Sequence, residues 1–415
     1  MACPAGPQAR DQRAIAPGFG LKIVARRGRV VRSHQGERSS GVRSRAVSSS
    51  LAGHRQTSTR TMRNITAIND HNNSLHVWRN THSDFAVDLI WRNNGRWSGW
   101  QKSWNRSPTL RQLVAVNESD NGLSLWGVGI DHTVYRTRRS KGQWSAWDKN
   151  WNFAPKLQRV VAVIDQQTKG NPSYVWGIGT DNAVHHTSLT FVSLPPVPGS
   201  PLVQNANWST WVRDWANAPK LQDIFAVTSG GRIFVWGIGT NNTVHLNWHD
   251  STKWSGWLPP SLWNSPPPLR TVFALIDPGI PFAAAYDTNK GIDVWGIGPD
   301  GAVHHTFWHR GVWSNWELNW NNAPKLNSIT AVKDANGSLH VFGIGVDNTV
   351  YLIWRDGTKW SGWLKGWNNA PKLQSITPIN DANNSLHVFG IGTDNLVYLI
   401  WRNNGKWSSW MKDWK

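Results

Sequence analysis

The chain has 415 residues, of which 31 are Trp and 37 are Gly, and only 17% are charged. That length holds one large domain or two ordinary ones, and so aromatic a composition excludes a chain disordered throughout. The formal net charge of +19 is unevenly held: residues 1–61 carry Lys22 and eleven Arg against Asp11 and Glu37, a balance of +10, and the remaining +9 is spread over 354 residues. The one cysteine, Cys3, excludes an intramolecular disulfide. No apolar run approaches the ~20 residues that a membrane helix needs.

Residues 1–61 contain no Trp and are rich in Arg, Ser and Gly, so they read as a disordered basic N-terminal arm. Three accounts stand. The arm is a transit peptide, or a basic segment for nucleic acid or an anionic surface, or no functional part of the protein, with Met62 as the true start. The third is preferred. Arg26-Arg27 is followed by Gly28 and Arg29, which is wrong for a twin-arginine signal. No secretory signal or transmembrane segment is evident, which suits a cytoplasmic protein or one released by a route that needs no signal.

From residue 62 to 415 one word recurs seven times. It is Trp97-Ser98-Gly99-Trp100, Trp144-Ser145-Ala146-Trp147, Trp208-Ser209-Thr210-Trp211, Trp254-Ser255-Gly256-Trp257, Trp313-Ser314-Asn315-Trp316, Trp360-Ser361-Gly362-Trp363 and Trp407-Ser408-Ser409-Trp410. The steps between copies are 47, 64, 46, 59, 47 and 47 residues. A near-fixed period of this size marks a repeat architecture.

The first copy is degenerate, because Arg79-Asn80-Thr81-His82-Ser83-Asp84 replaces the Gly-x-Gly word found in the other six. Those six are Gly127-Val128-Gly129, Gly177-Ile178-Gly179, Gly237-Ile238-Gly239, Gly296-Ile297-Gly298, Gly343-Ile344-Gly345 and Gly390-Ile391-Gly392. Glycine inside a strand points to a close approach of another backbone. Six Pro-containing links join the seven copies, and insertions fall around Phe191 to Asn207 and Pro278 to Lys290. The last copy reads most clearly. Ser375 to Ile379 is a strand whose Pro378 suits a sheet edge. Leu386 to Gly392 and Leu396 to Trp401 are further strands. Asn403-Asn404-Gly405 is a hairpin turn, and Lys406 to Met411 is the fourth strand.

The second and third strands are apolar on both alternating faces, so both faces of each sheet are expected to be buried. Four-stranded sheets packed face to face in a ring satisfy that demand. The predicted fold is therefore all-β, a seven-bladed β-propeller of four-stranded antiparallel blades over residues 62–415. Because the copies begin with a first strand and end with a fourth, a closure with no shared blade is open to the ring, though the order of the copies does not decide it.

Residues three apart in a strand face opposite sides, so the two Trp of each word are expected to meet different neighbours. Most rings fill the wedges between blades. One per copy is expected to meet a ligand, and the choice falls on the second: Trp100, Trp147, Trp211, Trp257, Trp316, Trp363 and Trp410. The Trp closing the third strand, at Trp248, Trp308, Trp354 and Trp401, forms the other wall. Such a groove suits a sugar, whose apolar C–H face stacks on an aromatic ring while Asn, Ser and backbone groups bind hydroxyls. Repetition multiplies weak sites into avidity. Asn-rich turns occur at Asn241-Asn242, Asn321-Asn322, Asn368-Asn369 and Asn403-Asn404, where plain turn chemistry is the preferred account of any single Asn.

Leu-His-Val-Phe-Gly-Ile-Gly-x-Asp-Asn-x-Val-Tyr, then Trp-Ser-x-Trp, then Trp-Asn-Asn-Ala-Pro-Lys-Leu, resembles the repeat of the PLL-type bacterial lectins of Photorhabdus. The resemblance covers Met62 to Lys415. It implies a seven-bladed propeller that binds fucose and related glycans between blades. It also implies a non-enzymatic lectin and leaves room for a homo-oligomer.

Other signals weigh less. Gly296-Ile297-Gly298-Pro299-Asp300-Gly301 matches a dinucleotide-binding pattern, but no helix follows it. His185-His186 and His304-His305 read as strand residues rather than metal ligands. No catalytic constellation recurs, so neither an enzyme nor a cofactor is expected. Lys156, Lys220, Lys325 and Lys372 should share one face of the ring. A solvated rim is preferred there to nucleic acid or another polyanion. A structural or protein-interaction propeller whose Trp are all core stays as the alternative to glycan binding.

Overall fold

In the computed structural model, residues 65–80, 85–118, 120–165, 172–193, 204–229, 231–250, 252–277, 291–309 and 311–414 are described. The basic arm, Met62, the end of the segment that replaces the first Gly-x-Gly word and the whole of 278–290 lie outside them. No helix among the described residues is long and apolar enough to cross a membrane.

Seven antiparallel sheets follow one another along the chain. Blade 1 comprises Ile65–Asn69, Leu75–Arg79, Asp88–Asn93 and Arg96–Trp97; blade 2 comprises Leu110–Asn117, Leu123–Gly129, Val134–Ser140 and Gln143–Trp144. Blades 3, 4 and 5 start at Leu157–Ile164, Leu221–Ser229 and Thr271–Asp277. Blade 6 comprises Leu326–Lys333, Leu339–Gly345, Val350–Asp356 and Lys359–Trp360, and blade 7 comprises Leu373–Asn380, Leu386–Gly392, Val397–Asn403 and Lys406–Trp407. In blade 4 the fourth strand shrinks to bridges from His249 to Trp254 and from Leu246 to Leu258. In blade 3 part of the insertion lengthens the outer hairpin, Val184–Ser193 pairing with Gln204–Trp208.

The first strands of neighbouring blades approach one another all round the ring, including blade 7 on blade 1. They are therefore the inner edge of each sheet, which is why Pro378 is tolerated in one of them. Among the described residues no strand is exchanged at the closure, which the order of the copies left open. Ile65, Leu75, Val77 and Ile90 of blade 1 pack with Phe389, Ile391, Val397 and Leu399 of blade 7. Asn69 Nδ2 donates to the Asn380 carbonyl, and Thr377 Oγ1 donates to that of Ile65.

Second strands are buried along their whole length in five blades, as in Leu339–Gly345 and Leu386–Gly392, with Tyr174 in blade 3 half-buried and Arg232 in blade 4 exposed. Third strands are not: in Val397–Asn403, Tyr398, Trp401 and Arg402 are half-buried and Asn403 is exposed. The expectation of two fully buried faces thus holds for the second strand only. The Gly-x-Gly words make room for side chains rather than for another backbone. A Cβ on Gly390 would strike Leu373, and one on Gly392 would strike Asp394 and Tyr398. In blade 1, Arg79 stands where Gly390 stands in blade 7. It pairs with the buried Asp88 at 3.1 Å and lies over Trp100, 4.0 Å from the ring centroid.

Candidate functional site

The recurring word is a break in the fourth strand, not a run of strand. In blade 7 that strand covers Lys406–Trp407, stops, and resumes at Met411–Lys412, both pieces pairing with the third strand. Ser408 makes the break. Its N–H donates to the Trp401 carbonyl at 2.9 Å, its hydroxyl accepts the Trp401 N–H at 3.1 Å, and it donates to the Ser409 carbonyl. Ser98, Ser255 and Ser361 hold Trp91, Trp248 and Trp354 in the same way. The Asn after the turn Trp is a clamp too, since Asn105, Asn152 and Asn368 Nδ2 donate to the carbonyls of Ser145, Ser209 and Ser408.

This overturns the expectation that the two Trp of a word meet different neighbours. Both meet the same ring, the turn Trp that follows the preceding blade. Trp367 sits edge-on to Trp407 at 4.6 Å and to Trp410 at 5.7 Å; Trp104 meets Trp144 at 4.8 Å and Trp147 at 6.1 Å; Trp414 meets Trp97 at 4.4 Å and Trp100 at 5.9 Å. The alternation rule applies to continuous strand, and the Ser-x step is not strand. The turn Trp are buried, at Trp104, Trp151, Trp215, Trp263, Trp320, Trp367 and Trp414.

Between blades 6 and 7 lies a cavity of about 330 Å³, in the range of small-molecule sites. Its rings are Trp354 from the third strand of blade 6, the turn Trp367, and Trp407 from blade 7; its polar lining includes His340, Asp356 and Arg402. Beside it stands Asp334, buried, with its two oxygens doing different work. Oδ1 accepts the backbone N–H groups of Asn336 and Ser338 at 3.0 and 2.9 Å, which fixes the turn. Oδ2 meets His340 Nε2 at 3.0 Å and takes a short ion pair from Arg402 of blade 7. Burial pushes the Asp334 carboxyl up, but the hydrogen bonds from His340 and Ser338 and the charges of His340 and Arg402 outweigh it, holding the group below the usual carboxylate range.

The same set recurs at two more junctions. At 7/1, Asp381 holds His387 at 3.1 Å and pairs with Arg92, beside Trp401, Trp414 and Trp97. At 1/2, Asp70 holds His76 at 3.1 Å and pairs with Arg139, beside Trp91, Trp104 and Trp144. Junction 5/6 is a variant: Asp293 holds His305 at 2.9 Å and meets Arg355 at 3.6 Å.

The other three junctions are filled by the protein's own side chains. At 2/3, Arg136 pairs with Glu118 at 2.6 Å and stands about equally close to Trp126, Trp151 and Trp208, at 5.4, 5.5 and 5.5 Å. At 3/4, His249 and Tyr174 crowd Trp254 at 4.8 and 5.9 Å. At 4/5, Phe234 packs on Trp308 at 5.6 Å, and Arg232 lies over Trp248 and Trp308.

The residues chosen from sequence divide accordingly. Trp354 lines the 6/7 cavity, and Trp401 holds the matching place at 7/1. Trp248 holds that place at the filled 4/5 junction. Trp308 is one residue out of register. It pairs Ile292, whereas Trp354 pairs His340 and Trp401 pairs His387, so it occupies the position Arg402 has in blade 7. Of the second Trp, Trp410 is not among the residues lining the cavity, and Trp100 lies under Arg79. Trp147, Trp211, Trp316, Trp363 and Trp410 have buried indole nitrogens, while Trp257 and Trp100 donate to the carbonyls of Trp215 and Trp414. Sequence reasoning missed Trp91, the first Trp of each word, and the Asp–His–Arg set. A signal existed: Asp-x-x-x-Ser-Leu-His is written at Asp70–His76, Asp334–His340 and Asp381–His387, the three copies whose grooves match.

The connector lysines are paired. Lys156 meets Asp131 at 3.7 Å, Lys220 meets Asp181 at 3.8 Å, Lys325 meets Asp300 at 2.5 Å and Lys372 meets Asp347 at 3.1 Å. The histidine doublets are strand residues, with His186 and His305 packed on Trp176, Trp215, Trp295 and Trp320. Gly296–Gly301 leads into the strand Val303–His309 and not into a helix.

No family model and no curated relative matches the chain. Solved structures do. The BP39L lectin from Burkholderia pseudomallei is similar at 16% identity, over 85% of this chain and 99% of that one, with a TM-score of 0.65. AofleA from Arthrobotrys oligospora aligns over 72% of this chain and 85% of its own at 14% identity, with a TM-score of 0.46. The SapL1 lectin, solved in complex with alpha methyl fucoside, aligns over 74% and 95% at 17% identity, with a TM-score of 0.44. At these identities the likeness is one of fold.

Proposed function

We propose that the protein is a multivalent, non-catalytic lectin that takes fucose- or galactose-type sugars in the grooves between blades. The observation that carries this is the 6/7 cavity, where three Trp rings face fixed, charged hydrogen-bonding groups. A pyranose has one apolar C–H face and a rim of hydroxyls. Trp354 and Trp407 supply stacking surface, and His340, Asp356 and Arg402 supply donors and acceptors, with His340 and Arg402 held in place by Asp334. Junctions 6/7, 7/1 and 1/2 carry the matching set, so three working sites are proposed. The sites proposed here use the third-strand Trp and the first Trp of each word. The alternative polyanion reading is weakened by the Lys–Asp pairing along the connectors.

The test is a glycan array, followed by calorimetric and Trp-fluorescence titration with methyl fucoside and methyl galactoside. Binding at a stoichiometry of three is expected, changing little with salt. Trp407→Ala should lower the stoichiometry to two while circular dichroism stays native. No binding to any arrayed sugar at millimolar concentration sinks the proposal, and so does a folded Trp407→Ala variant with unchanged stoichiometry.

A further inference from the structure

A second cavity, of about 300 Å³, adjoins the first between blades 6 and 7. Arg402 and Gly405 line both. The two cavities are thus neighbouring compartments of one groove, with Arg402 and Gly405 shared between them. Their chemistry differs. The first is walled by Trp, whereas none of the residues lining the second is aromatic. It is lined instead by five asparagines, Asn336, Asn383, Asn384, Asn403 and Asn404.

Asparagine in a turn has a mundane explanation, which covers part of this set. Asn384 and Asn404 have φ of 61° and 47°, a region Asn adopts more readily than most residues. That accounts for the residue type at two positions, but not for the other three. Nor does it use the side chains. Among the described residues, none of the five carboxamides has a hydrogen-bond partner in the protein, whereas the side chains of Asn69, Asn117 and Asn380 each tie one blade to the next. An uncharged carboxamide offers a paired donor and acceptor, which matches vicinal hydroxyls and has no preference for anions.

We infer that the 6/7 groove recognises a glycan of at least two units, with the terminal sugar on Trp354 and Trp407 and the penultimate one, a neutral hydroxyl- or acetamido-bearing ring, in the asparagine compartment. This rests on the lectin reading of the first compartment. Junction 7/1 repeats the pattern. Asn73, Asn93 and Asn94 stand where Asn384, Asn403 and Asn404 stand at 6/7, with φ of 61° at Asn73 and 46° at Asn94. At junction 1/2, Asn72 and Asn121 keep the places of Asn336 and Asn384, but Asp120, Ser140 and Lys141 replace the other three asparagines. The three grooves therefore fall into two classes: two that take an extended ligand and one that takes a single sugar.

The experiment compares methyl fucoside with a fucosyl-N-acetylglucosamine disaccharide by calorimetry on the whole chain. The disaccharide should bind about tenfold more tightly at two of three sites and no more tightly at the third. Asn384→Gly with Asn404→Gly keeps the backbone permitted at both turns. It should remove the gain at 6/7 while leaving methyl fucoside binding unchanged. Equal affinities for the two ligands at every site overturn the inference and leave the lectin reading standing, as does a disaccharide gain untouched by the double variant. Failure of both ligands to bind defeats the lectin reading itself.

Discussion

Asp334 shows how one residue ties local structure to the groove between two blades. Its carboxylate closes the turn through one oxygen and sets His340 and Arg402 through the other. Asp70 does the same in blade 1 and is likewise held below the usual carboxylate range: burial pushes it up, but His76, Ser74 and Arg139 outweigh that. Groups lowered in this way contribute stability above their ordinary pKa and lose it only as pH falls through the lowered value. The groove carboxylates therefore survive moderate acid. The buried histidines respond earlier. His186 is pushed down to about 4 by burial, and burial also lowers His245, His249 and His304. Unfolded histidines protonate near pH 6.5, so stability is full above that value and falls as pH drops towards 4. The expected outcome is a melting temperature that declines from pH 6.5 to 4. His186→Leu, the residue type found at Leu352 and Leu399, should remove roughly 3 kcal/mol of that dependence. An unchanged pH profile in a folded His186→Leu variant would count against this account. His305, lowered by burial but raised further by Asp293 and Glu317, titrates in the opposite sense.

The unit of construction is the third strand with the broken fourth strand against it. Ser408→Ala removes both the acceptor for the Trp401 N–H and the donor to Ser409, at a cost of about 1–3 kcal/mol. Trp410→Ala removes a ring packed on Trp367, at a cost of about 3 kcal/mol. Urea unfolding should show both losses, and neither variant should abolish sugar binding at junction 1/2. The seven-fold count and the hairpins were legible because they are local. Asn404 and Gly405, with φ of 47° and 79°, form the two-residue turn that Asn-Gly announces. The groove was less legible for two reasons. The word Trp-Ser-x-Trp looks like strand, so parity misassigned its rings, whereas the Ser hydrogen bonds interrupt the ladder. The polar set joins Asp334 to Arg402, 68 residues apart and in different repeats, which no spacing within one copy can reveal. Trp308 was misplaced by a single residue because its register follows from pairing with Ile292, and pairing is not written locally.

At the scale of the ring, every blade is contiguous in sequence and, among the described residues, no backbone ladder crosses from blade 7 to blade 1. The three proposed sites lie on consecutive junctions, 6/7, 7/1 and 1/2. They form an arc centred on the place where the ring closes, which suits several glycans presented close together on one surface. That arrangement has a mechanical meaning. If residues 65 and 414 are pulled apart, the load falls on the 7/1 junction, where it meets side-chain packing, the Arg92–Asp381 pair and a few side-chain hydrogen bonds rather than a strand in shear. The ring should open there first, at low force. A sugar bridging Trp401 and Trp97 would act as a clasp on that gate. Single-molecule pulling with and without methyl fucoside should raise the first rupture force, and an Arg92→Ala ring should open more easily in either case. A ring of this design would hold together most firmly when its seam is occupied.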